Sequence, residues 1–120
     1  MTREELFELH KKMCASALEL MKRKNADYSK TSPFGNFMVA EAIQACTAEA
    51  GILVRMTDKI SRLVSILDKG NQVKEESVDD TIIDIINYAV LLKGVIESKK
   101  PLEVYGMSPQ MAIFEETLGK

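Results

Sequence analysis

The chain has 120 residues, 46% hydrophobic and 28% charged, with no tryptophan, a composition that fits one folded globular domain and excludes a disordered segment. Its formal net charge of −2 gives no electrostatic reason to expect binding along a nucleic-acid polymer or an anionic membrane. Charges interrupt the apolar residues of 1–20 and no run of about 20 apolar residues occurs, so neither a signal peptide nor a membrane span is expected, and the cytoplasm is the default location.

The first predicted element starts at Thr2, which makes a capping box with Glu5. Leu6, Leu9, Met13, Ala17, Leu20 and Met21 then recur at helical spacing, to about Lys24. His10, among Glu8, Lys11 and Lys12, reads as a surface residue. Cys14 and Cys46 have no metal-ligand spacing and read as reduced core residues. The stretch 25–36, NADYSKTSPFGN, gathers Asn, Asp, Ser, Pro and Gly and predicts a loop with Tyr28 and Phe34 as aromatic anchors.

From Phe37 the helical period returns, as a short helix to about Cys46 and a longer one from about Thr47 to Asp68, stopped by Gly70. On a helical wheel the longer helix has Ile52, Met56, Ile60, Leu63 and Leu67 as its core face. Arg55, Asp58 and Arg62 lie opposite, with Lys59 at the margin. After NQVKEE, Ser77 and Asp80 form a second capping box, and a strongly apolar helix runs to about Ser98, ahead of Pro101. Its narrow polar stripe holds Asp80, Asp84 and Asn87, with Ser77, Thr81 and Tyr88 along one edge. Residues 101–120 predict a loop and a short terminal helix that docks on a neighbouring subunit. The expected architecture is a single all-α domain over 1–120, a bundle of four to five helices. A homo-oligomer, dimer or tetramer, is expected because the last helix wants more cover than three short helices give.

Carboxylates carried on so apolar a helix need partners, since burying an unpaired one costs several kcal/mol. Arg55 and Arg62 are the expected partners, and two readings follow: a salt-bridge network that fixes helix register, or a site. Carboxylates one turn apart suit Mg²⁺, which binds through one or two of them plus substrate phosphates, and arginines clamp phosphate bidentately. The combination suits a nucleotide di- or triphosphate, with Asp58, Asp80 and Asp84 at the metal and Asp80 and Asp84 in the catalytic role. Arg55, Lys59 and Arg62 would hold phosphate, and Lys24, Asn87 and Tyr88 complete the substrate-binding set. Tyr28 or Phe34 would stack on a base with Asn36 on its edge. The alternative is that both aromatics anchor a core loop and Asn36 caps the next helix. No Ser or Cys has a His placed to activate it, which argues against nucleophilic catalysis.

Three segments carry a resemblance: KNADYSKTSPFGNF at 24–37, GILVRMTDKISRL at 51–63 and EESVDDTIIDIINYAVLL at 75–92. Together they resemble the first nucleotide-modification-associated domain family of phages and prophages, which implies a role in nucleotide metabolism, in the host cytoplasm if phage-encoded. A more distant resemblance is to the all-α nucleoside triphosphate pyrophosphohydrolases of the MazG and dimeric dUTPase type. It implies a helical bundle that binds Mg²⁺ with paired acidic motifs on facing helices. Asp84 and Tyr88 overlie the aspartate and tyrosine of the second motif, an ExxD, but Thr81 then takes the glutamate position. Glu76 and Asp79 give an alternative ExxD at the start of the helix. The ExxE of the first motif is absent, with Arg55 and Asp58 at its spacing and Glu49 upstream. Arginine in place of an acid favours gripping phosphate over hydrolysing it. Three expectations result: a Mg²⁺-dependent (d)NTP pyrophosphohydrolase, a non-catalytic protein that sequesters a nucleotide or nucleotide signal, or a helical assembly protein whose polar stripe only sets register.

Overall fold

The computed structural model describes residues 1–28, 34–70 and 75–100. Within them the chain is all-α, with four helices: α1 over Arg3–Tyr28, α2 over Gly35–Ala42, α3 over Ala48–Asp68 and α4 over Glu75–Lys99. The expected docking of 101–120 on a neighbouring subunit lies outside the described residues.

Local chemistry accounts for most of the helix ends. At α1 the backbone N–H of Glu5 donates to Thr2 Oγ1 at 3.1 Å while the Glu5 carboxylate accepts from the Thr2 N–H at 3.0 Å, the reciprocal pairing of a capping box. Helix α1 runs one turn past Lys24, because Ala26 is a strong helix former, Asn25 and Asp27 disfavour a helix only weakly, and the chain meets no proline before Pro33. Gly35 and Asn36, expected in the loop, belong to α2. Asn36 is no cap; Phe34 occupies that position without a side-chain cap bond.

The second helix stops at Ala42, one turn short of the expected Cys46. Gln44 takes a left-handed φ of 61°, its N–H donates to Glu41 O, and the N–H of Ala45 donates to Ala40 O. These two bonds make a Schellman stop with glutamine where glycine is usual. Thr47 then caps α3, its Oγ1 accepting from Ala50 N–H, and Gly70, at φ 59°, ends that helix as expected. Helix α4 begins at Glu75, so Ser77 and Asp80 lie inside it and make no capping box. The Ser77 carbonyl instead accepts from the buried Thr81 hydroxyl at 2.7 Å.

Packing is centred on α4, which carries α3 along one side and α1 along another, while α2 folds over the start of α3. The fully buried apolar centre is small: Ala48, Ile52 and Val95, with Phe34, Phe37, Met56, Tyr88, Leu91 and Leu92 packed around it. Phe34 seats so closely over Gly94 that a Cβ there would lie 2.9 Å from its ring. Only a glycine lets this aromatic reach α4.

Two expectations about the core are corrected. Helix α3 turns Ile52, Met56, Lys59, Leu63 and Ile66 inward, and Ile60 and Leu67 are exposed. Lys59 and Ile66 take the inward places expected of Ile60 and Leu67, and Lys59 reaches a carboxylate on α4. Both cysteines are exposed, and Cys14 Sγ lies 3.7 Å from His10 Nδ1. They stand on parts of α1 and of the α2–α3 turn that no described element covers.

Candidate functional site

Between the C-terminal turns of α1, the first turns of α2 and the middle of α3 and α4 lies an open cavity of about 370 Å³, within the range of small-molecule pockets. Each element delivers particular groups. Helix α1 gives Met21, Lys24 and Asn25, and α2 gives Asn36, Phe37 and Ala40. Helix α3 gives Gly51 and Arg55, and α4 gives Asp84, Asn87, Tyr88 and Leu91.

The electrostatic centre is Asp84, whose side chain is only 18% exposed. Its Oδ2 is 2.9 Å from Lys59 Nζ and its Oδ1 is 3.6 Å from Lys24 Nζ. A carboxylate so placed must be compensated, and two ammonium groups from different helices do this. With Arg55 also lining the cavity, three cationic groups stand in this region against the one carboxylate of Asp84, and the region carries excess positive charge in a chain that is acidic overall. Lys24 is 55% exposed at its side chain and Lys59 28%, so Lys24 is the more free to turn to a ligand.

The apolar wall rests on an aromatic pair. Phe37 and Tyr88 meet edge to face, with centroids 6.4 Å apart and planes at 82°, a favoured geometry. Gly51 makes room for it: a Cβ there would stand 3.3 Å from Phe37 Cδ1 and 3.6 Å from Cys46 Sγ. Any larger residue must displace the ring.

The corner that carries Asn36 and Phe37 is fastened at its far end. Lys99 Nζ donates to Glu49 Oε1 at 2.7 Å and to Glu41 Oε2, which also accepts from the Ala48 N–H at 2.7 Å. The Lys99 ammonium, with the Ala48 amide, holds the Glu41 carboxyl below the usual glutamate range. Desolvation is the largest single influence on Lys99 and pulls it down, but the two carboxylates together raise it. The fastening therefore stays ionised on both sides at neutral pH.

Of the residues singled out from sequence, the structure brings Lys24, Asn36, Arg55, Asp84, Asn87 and Tyr88 around this one cavity, with Lys59 on Asp84 beside it. Asp58, Asp80 and Arg62 are exposed and lie outside the lining. The expected pairing of Asp84 with Arg55 and Arg62 is replaced by the two lysines. The Tyr28 side chain lies outside the described residues. Phe34, the other candidate for stacking, packs against Gly94 and lines a different hollow. Sequence reasoning missed Phe37, Met21, Asn25 and Leu91 as lining residues. Phe37 had a usable signal in Gly51, since a glycine inside an amphipathic helix marks a close approach.

The donor set expected for Mg²⁺ does not assemble. Among the described residues no three His, Cys, Asp or Glu side chains gather as a metal would require. Asp84 is engaged by two ammonium groups, and Glu49 by Lys99.

Comparison with known proteins gives one family. The model for "Nucleotide modification associated domain 1" matches residues 24–96, the span that supplies all the cavity's lining except Met21. No curated protein and no solved structure matches the chain.

Proposed function

We propose, from the premise that this chain belongs to the family of nucleotide-modification-associated domains, that its cavity binds a nucleotide or nucleotide-derived small molecule and holds it intact. The observation that carries this reading is that cationic and aromatic groups share one cavity. Lys24 and Lys59 pair with the carboxylate of Asp84, and Arg55, Phe37 and Tyr88 line the same space. A nucleotide calls for both kinds of group, cations for its phosphate and rings for its base.

The roles follow from chemistry. Arg55 takes phosphate oxygens bidentately and Lys24 does so as a mobile point charge. An arriving phosphate competes with Asp84 for the ammonium groups, and Asp84 keeps those groups oriented until it arrives. Tyr88 and Phe37 offer a ring face or edge to the base. The amides of Asn25, Asn36 and Asn87 present both donors and acceptors to the sugar and base edge. Metal-assisted hydrolysis is the weaker reading, because Asp58 and Asp80 are exposed and outside the cavity lining, and the oxygens of Asp84 are already engaged by cations.

Isothermal titration calorimetry against a panel of nucleoside mono-, di- and triphosphates and cyclic dinucleotides, with and without EDTA, tests this reading. The expected result is saturable binding that survives chelation, falls at least tenfold in the Lys24→Ala/Arg55→Ala double variant, and returns unaltered ligand after denaturation. A specific ligand at about 100 times its Kd stabilises the folded chain by about 2.7 kcal/mol, readable as a rise in Tm. Pyrophosphate or phosphate released only with Mg²⁺, and lost in Asp84→Asn, would replace binding with hydrolysis.

A further inference from the structure

Away from the cavity, two apolar surfaces are bare among the described residues. The first is the start of α1: every residue from Met1 to Lys12 is exposed, including Leu6, Phe7 and Leu9. The second is the flank of α3 a quarter turn from its packed face. There Leu53, Val54, Ile60, Val64 and Leu67 are each between 50% and 64% exposed.

Both surfaces have the attributes of an interface. Leu53, Thr57, Ile60, Val64 and Leu67 follow spacings of four, three, four and three residues, the repeat of a helix-packing seam. Val54 and Ser61 border the stripe, and it carries no charge before Asp68, as interface centres are depleted of charge. From Leu53 to Leu67 it runs roughly 21 Å at 1.5 Å per residue. The exposed arm of α1 has a similar reach, roughly 17 Å for residues 1–12. The arm is the first part of the continuous 26-residue helix α1, and its Leu6, Phe7 and Leu9 are 40–56% exposed among the described residues.

We infer that the occupant is a second copy of this chain, with the α1 arm of each protomer laid along the outer α3 stripe of the other. One two-fold operation covers both bare surfaces at once, since each copy gives one arm and receives one. Pairing stripe with stripe would leave the arms bare. A stable association draws about 20–30 residues from each partner; the 12 residues of the arm and the seven of the stripe and its borders together approach this, and neither does so alone. The cavity lies on the packed side of α3 and stays open in this arrangement.

Light scattering of the full-length protein on a sizing column, with disulfide trapping, tests the inference. The expected mass is twice 13.4 kDa, falling to one chain in Ile60→Glu/Val64→Glu and in a chain lacking residues 1–12, each checked for retained helicity by circular dichroism. Deleting residues 101–120 is expected to leave the dimer intact. With Cys14 and Cys46 changed to serine, an equimolar mixture of Leu6→Cys and Val64→Cys chains oxidises to the mixed disulfide as its main product. A wild-type monomer at tens of micromolar overturns the proposal, as does a mixture that yields mainly Val64→Cys pairs. Loss of the dimer on deleting 101–120 overturns it too, by assigning the interface to that segment. None of these readouts depends on nucleotide binding.

Discussion

Ile52 and Ile60 stand on the same helix, two turns and a little rotation apart, and the chain treats them in opposite ways. Ile52 is wholly buried with Ala48 and Val95 beneath the α2 corner, while Ile60 is half exposed on a stripe that no described helix touches. What separates them is polar chemistry. Around Ile52 the chain is fastened by Lys99 on Glu41 and Glu49, by the Glu41 cap on Ala48, and by glycines at 51 and 94 that admit two phenylalanines. Beside Ile60 the polar fastening is the Lys59 pair with Asp84, which points inward while Ile60 faces out.

The largest effect that probes this contrast is a pair of truncations. Ile52→Ala removes a fully buried side chain at a close-packed site and is expected to cost about 2–5 kcal/mol in denaturant unfolding at every protein concentration. Ile60→Ala is expected to stay within about 0.5 kcal/mol in dilute solution, where its site is open. Its cost should then grow as concentration rises and a partner covers the stripe. Equal costs for the two variants in dilute solution would mean that the two faces are not distinguished as the structure has them.

How much of this was legible in the residues differs by feature. The Thr2 and Glu5 capping box, the Gly70 stop and the four helices of the described residues rest on local rules, and they hold. The burial of α3 was legible for Ile52, Met56 and Leu63 but not for Lys59 and Ile66, because its apolar residues cover about half the wheel and periodicity cannot fix the edge of the face that meets α4. The pairing of Lys59 with Asp84 is a tertiary contact between residues 25 apart in sequence. The same holds for the cavity: the polar residues on α3 and α4 stand out from their apolar surroundings, whereas Phe37 looked like any other core aromatic. Asp80 looked like a cap because Ser77 precedes it at the right spacing, but α4 starts two residues earlier and the signal is silent.

A smaller effect isolates the fastened corner. Glu41 is held below its ordinary pKa, so its contribution is fully present above about pH 4.5 and is lost as pH falls through the depressed folded value. Lys99 is raised, so its charge is lost only as pH rises through a value above 10.5, far from this window. The Ala48 amide resonance should therefore titrate with a midpoint below 4.5. In Lys99→Met that midpoint should move up toward 4.5. An unmoved midpoint would show that Lys99 does not hold the carboxylate in solution.

The smallest effect lies at the turn between α2 and α3, where the fastened corner still contains a local cost. Gln44 sits at φ 61°, a conformation that costs an ordinary side chain about 1–2 kcal/mol. Glycine removes that cost but adds about 0.5–1 kcal/mol of unfolded-chain entropy, so Gln44→Gly should stabilise by about 0.5 kcal/mol, or a Tm rise of about 2 °C for a domain of this size. Gln44→Val should do the reverse and by more, since a β-branched residue is strained further at positive φ. Because the Ala45 and Gln44 amides supply the bonds that end α2, the order glycine above glutamine above valine tests whether the corner is closed by its backbone. Three indistinguishable melting temperatures would leave the polar fastening at Lys99 as what closes it.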